Sequence, residues 1–330
     1  MVRSLREDKS SVNLGNRYSV SEEDPSYPHV KSICAKHNIA ITELQVITGS
    51  FGKQIYLINQ EYLLRTSTRP MVREQENFRR IAALPAVPKL QGCGQSEDAD
   101  PQHYYTLLTR LPGQDFVDCY AETTVAQQEE LGRAVAHFLD RLHSYTGAHY
   151  DIGLYIPVIP HFTGTWRAGH AAYWQQLQRQ CSQRTWQPES GGTIARAFQF
   201  LEKNAAALDF QAGPTLLHND LHPQNILLNG GNFSGVIDWE CAQFGEADFE
   251  LCHLIHWTRY PPQPQLDFRP CLQALLAAAP RCTQVPALST RLTIYQIEHE
   301  IQQILWQGHT AEAIRVPRIQ QWLEDGVDLD

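Results

Sequence analysis

The chain has 330 residues, 36 of them acidic and 27 lysine or arginine, for a formal charge of −9. With 42% hydrophobic and 19% charged residues it can bury a sizeable core, which excludes global disorder and a disulfide-stapled miniprotein. Polyanion binding needs clustered Lys/Arg, so the acidic balance argues against nucleic acid as a partner and leaves room for a cationic small substrate. The length suits about two domains or lobes. No apolar run approaches the length of a membrane span, and the first twenty residues lack the apolar centre of a secretory signal, so the expectation is no membrane partner and a cytoplasmic location. The eight cysteines form no CxxC pair. Their even number would allow four disulfides, but their wide scatter fits buried thiols in a reducing compartment better.

In chain order, residues 1–27 are polar and read as an N-terminal tail or extension. Residues 29–39 have helical spacing, with Val30, Ile33, Cys34 and Ile39 on or near one face. Strand-like segments follow at 41–47, 54–58 and 62–65, separated by Thr48-Gly49-Ser50-Phe51-Gly52-Lys53 and then by Asn59-Gln60-Glu61, the pattern of an antiparallel meander. A helix is predicted over 72–84, with Phe78, Ile81 and Leu84 as its apolar stripe and Pro85 and Pro88 as its stop. Another short strand is predicted at 104–108. Leu111-Pro112-Gly113 then breaks the chain, and helical patterns take over at 124–144, 166–184, 192–207 and 285–325. The expectation is an α+β chain with a small β-rich lobe over 28–109 and a larger, mostly α-helical lobe over 110–330. No internal repeat is visible.

The chemistry concentrates in residues 216–254. Two apolar runs, 226–228 and 235–237, flank Asn229-Gly230-Gly231-Asn232, which is a hairpin signal. Asp220 and Asn225 precede the first run and Asp238 follows the second. A hairpin returns its ends to one neighbourhood, so these three oxygen-bearing side chains can converge. A set of two carboxylates and an amide suits a hard cation such as Mg²⁺ that keeps positions for phosphate and water. A carboxylate beside that metal can accept a proton from a hydroxyl.

The string H-x-D-x-x-x-x-N at His218, Asp220 and Asn225, followed by Ile237-Asp238-Trp239, resembles the aminoglycoside phosphotransferase-like branch of the protein-kinase-like superfamily. That branch includes antibiotic kinases, homoserine kinase and choline or ethanolamine kinases. The resemblance runs from about residue 40 to residue 255 and implies a bilobal protein-kinase-like fold. It implies that Asp220 is the catalytic aspartate, that Asn225 and Asp238 hold Mg²⁺, and that His218 braces the catalytic loop. It implies ATP as the donor, with GTP open as an alternative. Gly49, Ser50, Phe51, Gly52 and Lys53 would then form the loop over the ATP phosphates. Arg65 sits where the family places the lysine that contacts the α- and β-phosphates, and Glu74 would be its helix partner. Thr109-Arg110-Leu111-Pro112-Gly113 resembles the linker that holds the adenine ring, which gives Thr109 and Leu111 as nucleotide contacts. Residues 131–144 resemble the helix that ends in an L-H pair.

The sequence departs from the family at several points. Arg65 replaces lysine, and a planar fork is not a point charge. Asn219 stands where glycine is common. Trp239-Glu240 replaces Phe-Gly, which argues against a protein-kinase activation switch. Glu250 replaces the aspartate that braces the catalytic loop, with Asp248 as a possible substitute. Glu76 competes with Glu74 for the helix-partner role. His222 and His253 read as structural or loop histidines. A zinc reading of His218, His222, Cys241 and Cys252 fails for want of paired spacing. Trp166, Trp174 and Trp186 read as helix-packing residues in preference to acceptor contacts.

The expected activity is transfer of the γ-phosphate of ATP to a hydroxyl of a small molecule, first an antibiotic-like or natural-product alcohol. Glu298, Glu300 and the terminal 324–328 run are candidate acidic contacts for a cationic acceptor. A metabolic kinase for homoserine, choline, ethanolamine or a sugar alcohol is the second reading. A non-catalytic nucleotide-binding protein is the third. Monomer and dimer stay open.

Overall fold

Asn59 and Gln60 sit at positive φ, 53° and 59°, and so turn the strand Lys53–Ile58 back on Tyr62–Ser67. That hairpin is the centre of the first lobe in the structure, a computed structural model that describes residues 18–21, 23–24, 26–47, 53–96, 103–155 and 158–329. The lobe contains β1 (Tyr18–Ser19), α1 (Tyr27–Lys36), β2 (Leu44–Ile47), β3 (Lys53–Ile58), β4 (Tyr62–Ser67), α2 (Val72–Arg80), β5 (Leu90–Ser96) and β6 (His103–Thr109). Its strands form one antiparallel sheet in the order β1-β2-β3-β4-β6-β5. Val30, Ile33 and Cys34 of α1 pack on Leu44, Tyr56, Leu64 and Leu107 of that sheet. Each such burial contributes about 1.5–3 kcal/mol, the term that holds α1 in place.

The second lobe follows the break. It runs β7 (Gln114–Asp115), α3 (Phe116–Cys119), α4 (Val125–Leu142), β8 (Tyr150–Ile152), β9 (Ile159–Phe162), α5 (Trp166–Ser182), α6 (Ser190–Asn204), β10 (Thr215–Leu217), β11 (Ile226–Asn229), β12 (Asn232–Val236), β13 (Gln243–Gly245), α7 (Leu251–Arg259), α8 (Arg269–Ala278), α9 (Pro280–Thr283), α10 (Leu288–Gln307) and α11 (His309–Asp325). The molecule is therefore bilobal, with a β-rich first lobe and a helical second lobe. No described helix is long and apolar enough to cross a membrane. All eight cysteines are free thiols, six of them buried.

Where the sequence expectations shift, the causes are local. The helix predicted over 72–84 ends at Arg80 and continues as turns, because residues ahead of a proline resist the helical conformation. Its stripe of Phe78, Ile81 and Leu84 stays buried, but within the core of the second lobe. The strand predicted at 41–47 begins at Leu44. Strand β5 had no signal, since Gly92-Cys93-Gly94 breaks any apolar alternation. The helical pattern over 285–325 is two helices, broken at Gly308 with φ 81°.

Two glycines permit close backbone approach, Gly113 within the second lobe and Gly235 between the lobes. At Gly113, φ is +111° and an added Cβ would lie 2.2 Å from the Leu228 carbonyl oxygen. At Gly235 it would lie 2.4 Å from the carbonyl oxygen of Ala86, the acceptor of the adjoining Val236 N–H. Replacing Gly113 with alanine is expected to cost about 2 kcal/mol or more, through left-handed strain and the backbone clash together. Gly192→Ala, at a helical site with open space, should raise stability by roughly 0.5–1 kcal/mol. Thermal unfolding of the two variants checks this contrast, and equal shifts would refute it.

Candidate active site

Pairing of β10 with β13 brings the segment after Leu217 beside Gln243, and the β11–β12 hairpin returns the chain to Asp238. His218 is fully buried in this junction. Its Nε2 donates to the Ile237 carbonyl at 2.8 Å and its Nδ1 accepts the Asp220 N–H at 3.3 Å. Burial holds its pKa below the ordinary value, as the neutral tautomer in that pattern requires. Asn219 takes φ 62°, a conformation asparagine tolerates in place of glycine. The Glu250 carboxylate accepts both loop amides, from His218 at 2.7 Å and from Asn219 at 3.0 Å. Asp248 is engaged elsewhere, in a forked pair with Arg291 at 2.6 and 2.8 Å. Of the two candidates for bracing the loop, Glu250 is the one in contact.

The Asn225 amide donates Nδ2 to the Asp220 carbonyl at 2.8 Å, and the Ile237 N–H bonds the Asn225 carbonyl at 3.0 Å. These bonds tie the start of the loop to the residue before Asp238. With Nδ2 so held, the amide presents Oδ1 the other way. Asp238 itself stands at φ 66°, ψ 63°.

Across the cleft, Arg65 of β4 puts Nη1 2.8 Å from Glu74 and 3.1 Å from Asp238, and Nη2 3.5 Å from Glu240. Lys53, at the start of β3, contacts Glu240 closely and lies 3.6 Å from Glu74. Glu74 is 3% exposed, whereas Glu76 is half exposed and faces Arg80, so burial separates the two glutamates. The same helix, α2, grips the chain after Asp238. Arg73 donates to the carbonyls of Cys241 and Ala242 at 3.0 and 3.1 Å, and Asn77 to those of Trp239 and Ala242 at 2.9 and 3.1 Å.

The two aspartates titrate in opposite directions. Burial raises the pKa of Asp220 well above the carboxylate range, and Asp238 and Glu250 push it further. Burial would also raise Asp238, but Arg65 and Lys53 outweigh it and hold that group below its ordinary value. The imidazoles of His222 and His253 lie 3.8 Å and 3.9 Å from the Asp220 carboxylate. Both are pushed down to about 3, chiefly by burial, and so are neutral.

Gly49, Ser50, Phe51 and Gly52 lie outside the described residues. Lys53, the last of that group, is bound to carboxylates of the cleft. Thr109 spends its N–H on the Lys89 carbonyl at 2.9 Å, and Arg110 its N–H on Glu61 at 2.7 Å, so Leu111 is the first linker residue beyond the sheet. Glu240, His222, His253 and Tyr155 enter the site without having been singled out for it. Glu240 carried a signal in its position two residues after Asp238. Tyr155 carried none. It stands at φ 58°, with its ring centroid 4.9 Å from that of His253 and its hydroxyl held protonated by burial and then by Asp220.

Two acidic candidates need correction. Glu298 is fully buried and bonds His170 at 2.7 Å and the Trp174 indole. Glu300 is fully buried against Arg315 at 3.0 Å. Helix α10 runs through the core, so neither carboxylate can meet a ligand. Trp166, Trp174 and Trp186 all spend their indole N–H groups on internal partners, in keeping with packing roles.

The model of the phosphotransferase enzyme family, APH, matches residues 43–281. No curated protein sequence matches the chain. Among solved structures, the fold resembles that of aminoglycoside phosphotransferase APH(4)-Ia in a ternary complex with ADP and hygromycin B, at 19% identity and TM-score 0.64, over 90% of this chain and 98% of that one. It resembles APH(2")-IIa with streptomycin and ATP at 17% identity and TM-score 0.63, over 92% and 97%. It also resembles a GDP complex of aminoglycoside 2'-phosphotransferase-IIIa at 14% identity and TM-score 0.63, over 90% and 96%. At these identities the likenesses show the fold.

His253 supplies a pH test. Its folded pKa lies below the unfolded value near 6.5, so the unfolded chain binds the extra proton and stability falls as pH drops from 6.5 toward 3. Urea unfolding of wild type and His253→Asn is expected to diverge by about 1.4 kcal/mol per pH unit between pH 6 and 5, wild type having the steeper loss. Parallel curves would contradict a neutral, buried His253.

Proposed function

The chain belongs to the phosphotransferase enzyme family, and from that premise we propose that it transfers the γ-phosphate of ATP to a hydroxyl of a small molecule, with Asp220 as the base. The observation that carries the role of Asp220 is the split between the two aspartates. A pair of carboxylates whose surroundings drive their pKa values apart divides the work between them. Asp220, without a cationic partner in contact and made more basic by its surroundings, accepts the hydroxyl proton. Asp238, kept ionised by Arg65 and Lys53, serves as a permanent anion.

The residues present fit a divalent cation. Three carboxylates, on Glu74, Asp238 and Glu240, gather about two side-chain cations, Lys53 and Arg65, and the Asp220 carboxylate, close enough to Asp238 to feel its charge, adds a further negative group. Asp238 and the Asn225 amide oxygen would hold Mg²⁺, which when bound neutralises charge on phosphate oxygens. Arg65, braced by Glu74, would contact the α- and β-phosphates. Glu240 pairs with Lys53 and Arg65 until phosphate arrives. Leu111 would offer backbone groups to the purine.

The acceptor we propose is an antibiotic-like or natural-product alcohol. The fold relatives in complex with hygromycin B and with streptomycin make aminoglycosides the first compounds to try. The side of the second lobe near Asp220 is aromatic, with Tyr155 beside His253, His299 and the exposed Trp306, and His222 stacked 4.4 Å from Trp257. That surface favours ring-bearing neutral alcohols as a second group in the same panel.

The test incubates the protein with Mg·ATP or Mg·GTP and an acceptor panel and detects phosphorylated product by mass. A product with one added phosphoryl group is expected, with turnover lowered about 10²–10⁴-fold by Asp220→Asn while nucleotide binding persists. Product formation at the wild-type rate by Asp220→Asn would overturn the assignment of the base. Nucleotide binding with no product across the panel would favour the nucleotide-binding reading.

A further inference from the structure

We propose that His149, Asp151 and His161 form a zinc site, separate from the cleft that holds Asp220 and Asp238. Strands β8 and β9 pair antiparallel, Tyr150 opposite Phe162, which brings residues from both arms of one hairpin together. Asp151 lies on β8, His149 just before it and His161 on β9. Each offers one ligand atom, and the three atoms lie within 4.8 Å of one another. His149 Nε2 is 2.7 Å from His161 Nδ1 and 3.9 Å from the Asp151 carboxylate. Tetrahedral zinc with bonds of about 2.0–2.1 Å puts its ligand atoms roughly 3.3 Å apart, so the observed separations bracket the required one. Small side-chain rotations suffice to reach it.

The donor set selects the metal class. Two imidazole nitrogens and one carboxylate, with no thiolate, suit zinc, and three protein ligands leave a fourth position for water. The carboxylate is already oriented by backbone donors. Asp151 Oδ1 accepts the His161 N–H at 3.1 Å, and Oδ2 accepts the Phe244 N–H at 3.1 Å. Such outer contacts fix a ligand ahead of the metal. Asp151 is buried, His149 a quarter exposed and His161 exposed. His149 and Phe162 also line an open cleft with Thr163, Gln211 and Gly213, which gives an ion a way in.

The site would fasten the hairpin to the segment after Asp238. Phe244 belongs to β13, and the neighbouring Gln243 donates to the carbonyls of Asp151 and Gly153 at 3.3 and 2.7 Å. Zinc binding is therefore expected to stabilise the second lobe without touching the groups assigned to phosphoryl transfer.

The experiment uses the untagged full chain, stripped with a chelator and titrated with Zn²⁺ against a chromogenic competitor, then with Co²⁺ to read its visible bands. One equivalent is expected to bind, and His149→Ala and His161→Ala are each expected to weaken binding by about 100-fold. Zn²⁺ should raise the unfolding temperature of the wild type and leave the variants unmoved. Both variants change side chains that reach the surface, and circular dichroism verifies that they fold. Failure to bind one equivalent, or equal affinity in the variants, would overturn the site and leave the His149–His161 contact as a hydrogen bond between imidazoles.

Discussion

The guanidinium of Arg65 is the constraint on which the rest of the cleft depends. It stands 12% exposed between Glu74 of α2 and Asp238 of the second lobe, and so couples sheet, helix and the Asp238 segment through one cation. Removing one partner from a buried ion pair leaves a charge uncompensated, at a cost of about 3–5 kcal/mol. Such a cluster resists piecemeal rearrangement. The geometry also explains why arginine occupies a position where the family commonly has lysine. Nη1 serves Glu74 and Asp238 while Nη2 reaches toward Glu240, a spread that a single ammonium would not match. The lysine of the cleft, Lys53, lies on the neighbouring strand and contacts Glu240 and Glu74 instead.

Helix α2 works in two directions. Glu74 faces Arg65, while Phe78, with Ile81 and Leu84 beyond the helix end, belongs to the core of the second lobe. Arg73 and Asn77 bind the carbonyls that follow Asp238. Trp239, where a protein kinase has phenylalanine, is fully buried, donates its indole N–H to Val236 at 3.0 Å and packs edge-on to His218. Helix α2 and the segment after Asp238 are thus fastened to each other at several points.

The parts legible in the sequence were those that local rules dictate. The hairpin after Asn225 was written in two apolar runs about a glycine turn, and it makes the convergence of Asp220, Asn225 and Asp238 readable without coordinates. The meander was legible for the same reason. What escaped was long-range. Burial alone distinguishes Glu74 from Glu76, and no pattern in 72–80 reveals which one faces β4. Glu298 and Glu300 read as surface acids because α10 is rich in polar residues, yet its middle, from Arg291 to Ile301, is buried, and the two carboxylates bond His170 and Trp174 of α5 and Arg315 of α11. Tyr155 and His253 come within reach of Asp220 from 65 and 33 residues away, through packing for which the sequence has no local sign.

The most direct test of the account is calorimetric titration of Mg·ATP into wild type and Arg65→Met, a substitution that removes the charge and keeps most of the chain length. Wild type should bind one equivalent in a magnesium-dependent manner, and Arg65→Met should bind at least about tenfold more weakly, the loss of one charge-assisted contact to phosphate. Equal affinities in the two proteins, or no nucleotide binding by the wild type, would contradict the placement of phosphate against Arg65 and with it the central claim.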